Sequence, residues 1–196
     1  MILWSDKKII DKEIIDQGII DSMISYLKSS SIKYPDTSRE DFSYYTSYNS
    51  SLKISNRKLD LYYDGIVSDV CKDLTLYNRG IFATYYWIQV YPQNGGTIGI
   101  HNHHKANAVF SWVHFIKPSS KKCFYFINHE GQRIYPEEQN EGDFIVFPSW
   151  AAHTADPNQD KDDRIIIAGN VFTSAMLSTI ADNFDISNIT NKITHY

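Results

Sequence analysis

Cysteine is scarce in this chain, two in 196 residues, and there is neither a surplus of positive charge nor a long apolar run. Cys71 and Cys123 are too few for a disulfide framework and lie in segments of different character, which suits two buried thiols in a reducing compartment. Acidic residues interrupt the isoleucines between Met1 and Ile20, so no signal peptide is expected there. No later window is apolar enough to span a bilayer. A cytoplasmic protein without a membrane partner is the expectation. A net charge of −4 argues against strong nonspecific nucleic-acid binding, which needs a concentrated basic face. The length fits one domain, 1–196, with room for a core and a covering helical layer.

Tyrosine, by contrast, is abundant at 14 residues, and large aromatics suit β-rich cores and binding clefts. Ile20, Met23, Ile24 and Leu27 follow helical spacing, with Asp16 available as a cap. Leu59, Tyr62, Tyr63, Ile66, Val67, Val70 and Leu74 repeat at helical spacing over more than four turns despite Gly65. Both stripes read as core-facing. The intervening Ser31 to Asn56 is polar, without sustained period, and reads as a long loop or broken strands. These parts make a helical and loop layer over 1–80.

From about Ile81 the texture changes to short β-branched and aromatic runs separated by turn residues, the pattern of an antiparallel sandwich or barrel. Strands are expected at Phe82–Tyr91, Thr97–His101, Val109–Ile116, Lys122–Ile127, Gln132–Tyr135, Asp143–Phe147 and Arg164–Phe172. A mainly β core over 81–173 and a C-terminal tail, 174–196, complete the division.

Four of the seven histidines fall at predicted strand ends: His101, His103, His104 and His153. Side chains alternate faces along a strand, so the imidazoles of residues 101 and 103 project together while His104 points away. A third ligand must come from another strand, and His153 follows one that ends at Phe147-Pro148. Neutral imidazoles suit Fe, Zn, Cu and Ni alike. Arg164 opens the next apolar strand, where a guanidinium is costly unless paired. A bound dicarboxylate would match its fork, and a salt bridge to Asp162 or Asp163 is the competing account.

The stretch His101 to Asn170 resembles the Fe(II)- and 2-oxoglutarate-dependent oxygenases, and more closely members of that type in bacteriophages and bacteria. The matching residues are His101-Asn102-His103, Asn107 to Ser111, Gly142 with Phe147-Pro148-Ser149 and His153, then Arg164 and Asn170. Tyr91-Pro92 before His101 is similar to the prolyl hydroxylase branch. The resemblance implies a double-stranded β-helix (jelly roll) with N-terminal supporting helices. It further implies Fe(II) on His101, His103 and His153, with 2-oxoglutarate as co-substrate held by Arg164 and helped by Tyr91 or Tyr125. The activity implied is hydroxylation with O2 of an unidentified substrate, a peptidyl side chain being the favoured class. His103 stands where a carboxylate is usual, and a register that uses His104 is the alternative.

Two other readings stay open on the residues alone. A cupin shares the β-helix and can hold iron on three histidines, but Lys105 to Ser111 lacks the cupin glutamate. A non-catalytic β-sandwich binding protein would need no metal.

Overall fold

The computed structural model describes residues 1–10, 17–29, 44–48, 57–76, 82–95, 99–104 and 108–173. Its elements in chain order are β1 (Trp4–Lys7), α1 (Gln17–Ser29), β2 (Tyr45–Thr46), α2 (Arg57–Asp73), β3 (Phe82–Tyr91) and β4 (Phe110–Lys117). They continue with β5 (Phe124–Ile127), β6 (Arg133–Ile134), β7 (Asp143–Pro148), β8 (His153–Ala155) and β9 (Arg164–Thr173). Both helical stripes form helices. The Asp16 cap and most of Ser31 to Asn56 lie outside the described residues, but β2 falls in that stretch, so part of it is a broken strand as expected.

The described strands build a six-stranded sheet, β1-β7-β4-β9-β3-β2, facing a three-stranded sheet, β6-β5-β8. Every described pairing is antiparallel. This is the two-sheeted roll that the resemblance implied. Helices α1 and α2 cover the outer face of the large sheet: Ile20, Leu27, Leu59, Tyr63 and Val70 meet Ile88, Trp112, Phe144 and Ile167. A second core fills the space between the sheets, where Val113, Phe115, Phe147 and Ile166 meet Phe124 and Phe126. The large sheet is therefore buried on both faces, which is why its strands read as continuous apolar runs rather than alternating ones. Gly169 is obligatory on this argument, because a Cβ there would stand 2.4 Å from the Trp112 ring. Gly142, at φ +83°, turns the chain into β7, and its N–H donates to Phe115 O at 2.8 Å.

One expected strand needs correction. Thr97–His101 is no strand in its described part: 99 and 100 are irregular, and His101 makes a single bridge to His153, while 97 and 98 lie outside the described residues. The bridge adds a short fourth rung to the small sheet. Cys71 and Cys123 are free and buried, as expected. Among the described residues no helix is long and apolar enough to cross a membrane.

The helix layer is tied to the sheet by a buried polar link. His114 is fully buried; its Nε2–H donates to Lys8 O at 2.6 Å and its Nδ1 accepts from Tyr63 Oη at 2.9 Å. Burial pushes its pKa from 6.5 down to about 4, although the bond to Lys8 and the charge of Asp143 oppose the shift. The unfolded chain thus binds the proton more readily than the folded one. The stability is complete above pH 6.5 and is lost as the pH falls from 6.5 toward 4. At 1.36 kcal/mol per unit the loss is about 3 kcal/mol. Thermal unfolding across that window should show the decline, and His114→Gln should show a shallower one from a lower starting stability.

Candidate metal centre and cleft

His153 opens β8, and its backbone pairs with that of His101 in both directions, N–H to O at 2.9 and 3.1 Å. This bridge places the two rings 4.4 Å apart, centroid to centroid. His103 joins them because its N–H donates to Ser149 O at 2.7 Å, in the turn after β7. Its ring lies 5.3 Å from that of His101 and 5.2 Å from that of His153. One ring nitrogen from each of the three lies within 4.8 Å of the others. His104 is exposed and stands outside the group. The structure thus brings His101 and His103 together and leaves His104 apart, although the segment is a single bridge rather than the expected strand.

The nitrogens facing each other carry lone pairs. Nδ1–H of His101 donates to Gly99 O at 2.9 Å and Nδ1–H of His153 donates to Ala151 O at 2.8 Å, which leaves Nε2 unprotonated in each neutral ring. His103 Nε2 is buried and has no hydrogen-bond partner. An orphaned imidazole nitrogen beside two lone pairs is costly unless something coordinates it. Burial lowers all three pKa values, His103 to about 4 and His153 well below the ordinary 6.5, with repulsion from neighbouring imidazoles adding to the effect at His103 and His153. The side chain of Asn170 works against the shift at His103. Asn170 Oδ1 accepts from Ser111 Oγ at 2.8 Å. Three neutral imidazoles converging on one point fit a divalent metal of borderline softness, such as Fe(II).

The rings help line a cleft between the sheets, which counted out to solvent holds about 460 Å³. Its walls include Trp87, Gln89 and Tyr91 of β3, Phe124 of β5, Phe147 of β7, and Ile166 and Ala168 of β9. Among the described residues no aspartate, glutamate or lysine lines it. Tyr91 is buried and its hydroxyl donates to Gln89 Oε1 at 2.7 Å. Burial raises the Tyr91 pKa, opposed by the charge of Arg164.

Arg164 is directly opposite Tyr91 across the β3–β9 pair, and alternation along β9 turns it to the same face as Ile166 and Ala168. Its guanidinium carbon is 4.1 Å from the Tyr91 ring centre. Nη1 donates to Asp156 O at 2.8 Å, whereas Nη2 is buried and unpartnered. Among the described residues no carboxylate pairs with it: Asp162 and Asp163 meet Lys117 and Lys28 instead. The salt-bridge account of this arginine thus finds no support among the described residues.

Tyr125 needs correcting. Phe124 and Phe126 point into the inter-sheet core, so alternation turns Tyr125 to the opposite face. There its ring lies 5.2 Å from that of Tyr135 and 4.5 Å from the Arg133 guanidinium, away from the cleft. Trp87, Gln89 and Trp112 line the cleft, whereas Trp150 is 61% exposed. The carbonyls of Gly99 and Ala151 that set the histidine tautomers left no mark in the sequence, because every residue has one.

No protein-family model matches the chain, and no curated protein matches its sequence. Solved structures do. A prolyl hydroxylase from Trichoplax adhaerens, in complex with a hypoxia inducible factor peptide fragment, has a TM-score of 0.63 at 11% identity, over 90% of this chain and 86% of that one. A Pseudomonas putida prolyl-4-hydroxylase has a TM-score of 0.60 at 13% identity, over 87% and 91%. The epimerase SnoN, in complex with Fe3+, alpha ketoglutarate and nogalamycin RO, has a TM-score of 0.58 at 8% identity, over 89% and 84%. The chain is thus built on the double-stranded β-helix fold of prolyl hydroxylases and of this iron- and alpha-ketoglutarate-bound epimerase.

Proposed function

We propose that the chain is an Fe(II)- and 2-oxoglutarate-dependent oxygenase acting as one cytoplasmic domain and hydroxylating a peptidyl side chain. The observation that carries this is the pairing of three converging imidazoles with a buried arginine that has no carboxylate partner among the described residues. His101, His103 and His153 hold the metal, and Arg164 takes the distal carboxylate of the co-substrate, with Tyr91 packed on its guanidinium. Bound together there, Fe(II) and 2-oxoglutarate supply decarboxylation to succinate coupled to transfer of one oxygen atom from O2 to a substrate C–H bond.

The chain's own share is orientation, charge and dryness. Three neutral ligands leave the full +2 of the metal uncompensated, and no acid lines the cleft among the described residues, so a dianionic co-substrate supplies the balance. Phe124, Phe147, Ile166 and Ala168 exclude water from the space between the two anchors. A peptide as substrate draws support from the peptide-bound Trichoplax structure and from Ile100 and Trp150, both more than 60% exposed beside His101 and in the turn before His153. The cupin alternative leaves a buried arginine without a task.

The test is calorimetric titration of 2-oxoglutarate into the Mn(II)-loaded chain, followed by succinate detection with Fe(II) and O2. Stoichiometric 2-oxoglutarate binding that requires the metal is expected. Metal uptake without 2-oxoglutarate binding would rule the reading out.

A further inference from the structure

The wall of the cleft carries several hydrogen-bond donors, and most are already used. Ser111 Oγ donates to Asn170, Tyr91 Oη to Gln89, and Trp112 Nε1 to Thr84 Oγ1 at 3.2 Å. Trp87 is the exception: it is 5% exposed, it lines the cleft, and its Nε1 has no partner among the described residues. Burying an indole N–H without an acceptor is unfavourable, and buried tryptophans ordinarily find one. The ring is fixed in place. It lies nearly parallel to His103, 13° between planes with centroids 5.8 Å apart, and Tyr48 packs on it at 4.8 Å.

Position along β3 says which ligand group this donor meets. Trp87, Gln89 and Tyr91 share the inner face, and Trp87 to Tyr91 is about 13 Å along the strand at ~3.3 Å per residue. Tyr91 stands at the arginine end of the cleft and Trp87 at the histidine end, so one extended dicarboxylate lies between them with a different group at each. We infer that Trp87 Nε1–H donates to the metal-proximal 2-oxo acid end of the co-substrate, a second anchor separate from Arg164. This rests on the oxygenase reading above. It gives the cleft one donor for each end of the dianion, and it assigns the tryptophan a binding task that its apolar surroundings alone do not suggest.

The experiment compares two ligands on the Mn(II)-loaded chain without O2: 2-oxoglutarate, and 2-oxobutyrate, which keeps the 2-oxo acid end but lacks the distal carboxylate. Trp87→Phe keeps an aromatic ring against His103 and removes the N–H together with part of the indole ring. It should bind Mn(II) as the wild type does and bind both acids about 10- to 100-fold more weakly, the size of one hydrogen bond to a charged acceptor. Unchanged affinity for both acids overturns the inference, and so does a loss confined to 2-oxoglutarate, which would place the contact at the distal end. A loss of Mn(II) affinity also overturns it, since the ring would then be acting through His103. A wild-type chain that binds neither acid would instead remove the oxygenase reading itself, and this inference with it.

Discussion

Replacing His153 by alanine should abolish stoichiometric Fe(II) and Mn(II) binding while leaving the fold in place. The ring supplies one of three converging nitrogens, and two imidazoles do not make a closed face for a divalent ion. The loss should exceed the ~100-fold upper range seen when only an outer-sphere partner of a ligand is removed. The fold survives because what joins β8 to His101 is backbone: the two N–H to O bonds between 101 and 153 do not involve the side chain. The ring does pack against Phe147 at 4.9 Å and Phe124 at 5.6 Å, so a modest fall in melting temperature is expected from the cavity. His104→Ala is the matched control. Its ring is exposed and outside the group, so metal affinity and melting temperature should stay at wild-type values. Metal retained in His153→Ala, or lost in His104→Ala, would contradict the assignment of the site.

How far the sequence revealed this depends on length and parity. The ten-residue strand Phe82–Tyr91 has the bounds expected of it, and Arg164–Thr173 differs by one residue, because long β-branched and aromatic runs override everything else locally. Trp4–Lys7 was not expected: its sequence, WSDK, carries no alternation, and what makes it a strand is register with Val146 to Asp143 on β7. His153–Ala155 is three residues long and shows no period at all, so its strand character comes from the partner, Phe124–Phe126. His101, His103, His153, Tyr91 and Arg164 were candidates from spacing and resemblance, and the structure puts the three histidines together and the other two side by side. Tyr125 failed on a rule that was already available. Its neighbours Phe124 and Phe126 are the more apolar pair, so parity alone assigns the tyrosine to the outer face, and reading it for its hydroxyl ignored that.

The second large effect is expected at Arg164, and it has two opposite signs in one variant. Arg164→Met should keep the metal and weaken 2-oxoglutarate by roughly 30- to 1000-fold, as expected when a desolvated charge partner worth about 2–4 kcal/mol is truncated. Affinity for 2-oxobutyrate, which has no distal carboxylate to lose, should be unchanged, the reverse of the pattern expected for Trp87→Phe. In the ligand-free chain the same substitution should not destabilise the fold. The guanidinium is 2% exposed, with no carboxylate partner among the described residues and one orphaned nitrogen, so its desolvation is repaid only by Asp156 O and the Tyr91 ring. Methionine of similar reach removes the buried charge and keeps the packing, and such exchanges are often neutral or stabilising. Melting temperature with and without 2-oxoglutarate therefore separates the roles. A ligand-binding arginine predicts that the free variant melts at or above wild type and gains little from 2-oxoglutarate, whereas a structural arginine predicts a lower melting point with ligand stabilisation intact. The cost of holding an unpaired cation in the sheet interior is then the free energy set aside for the anion that completes it.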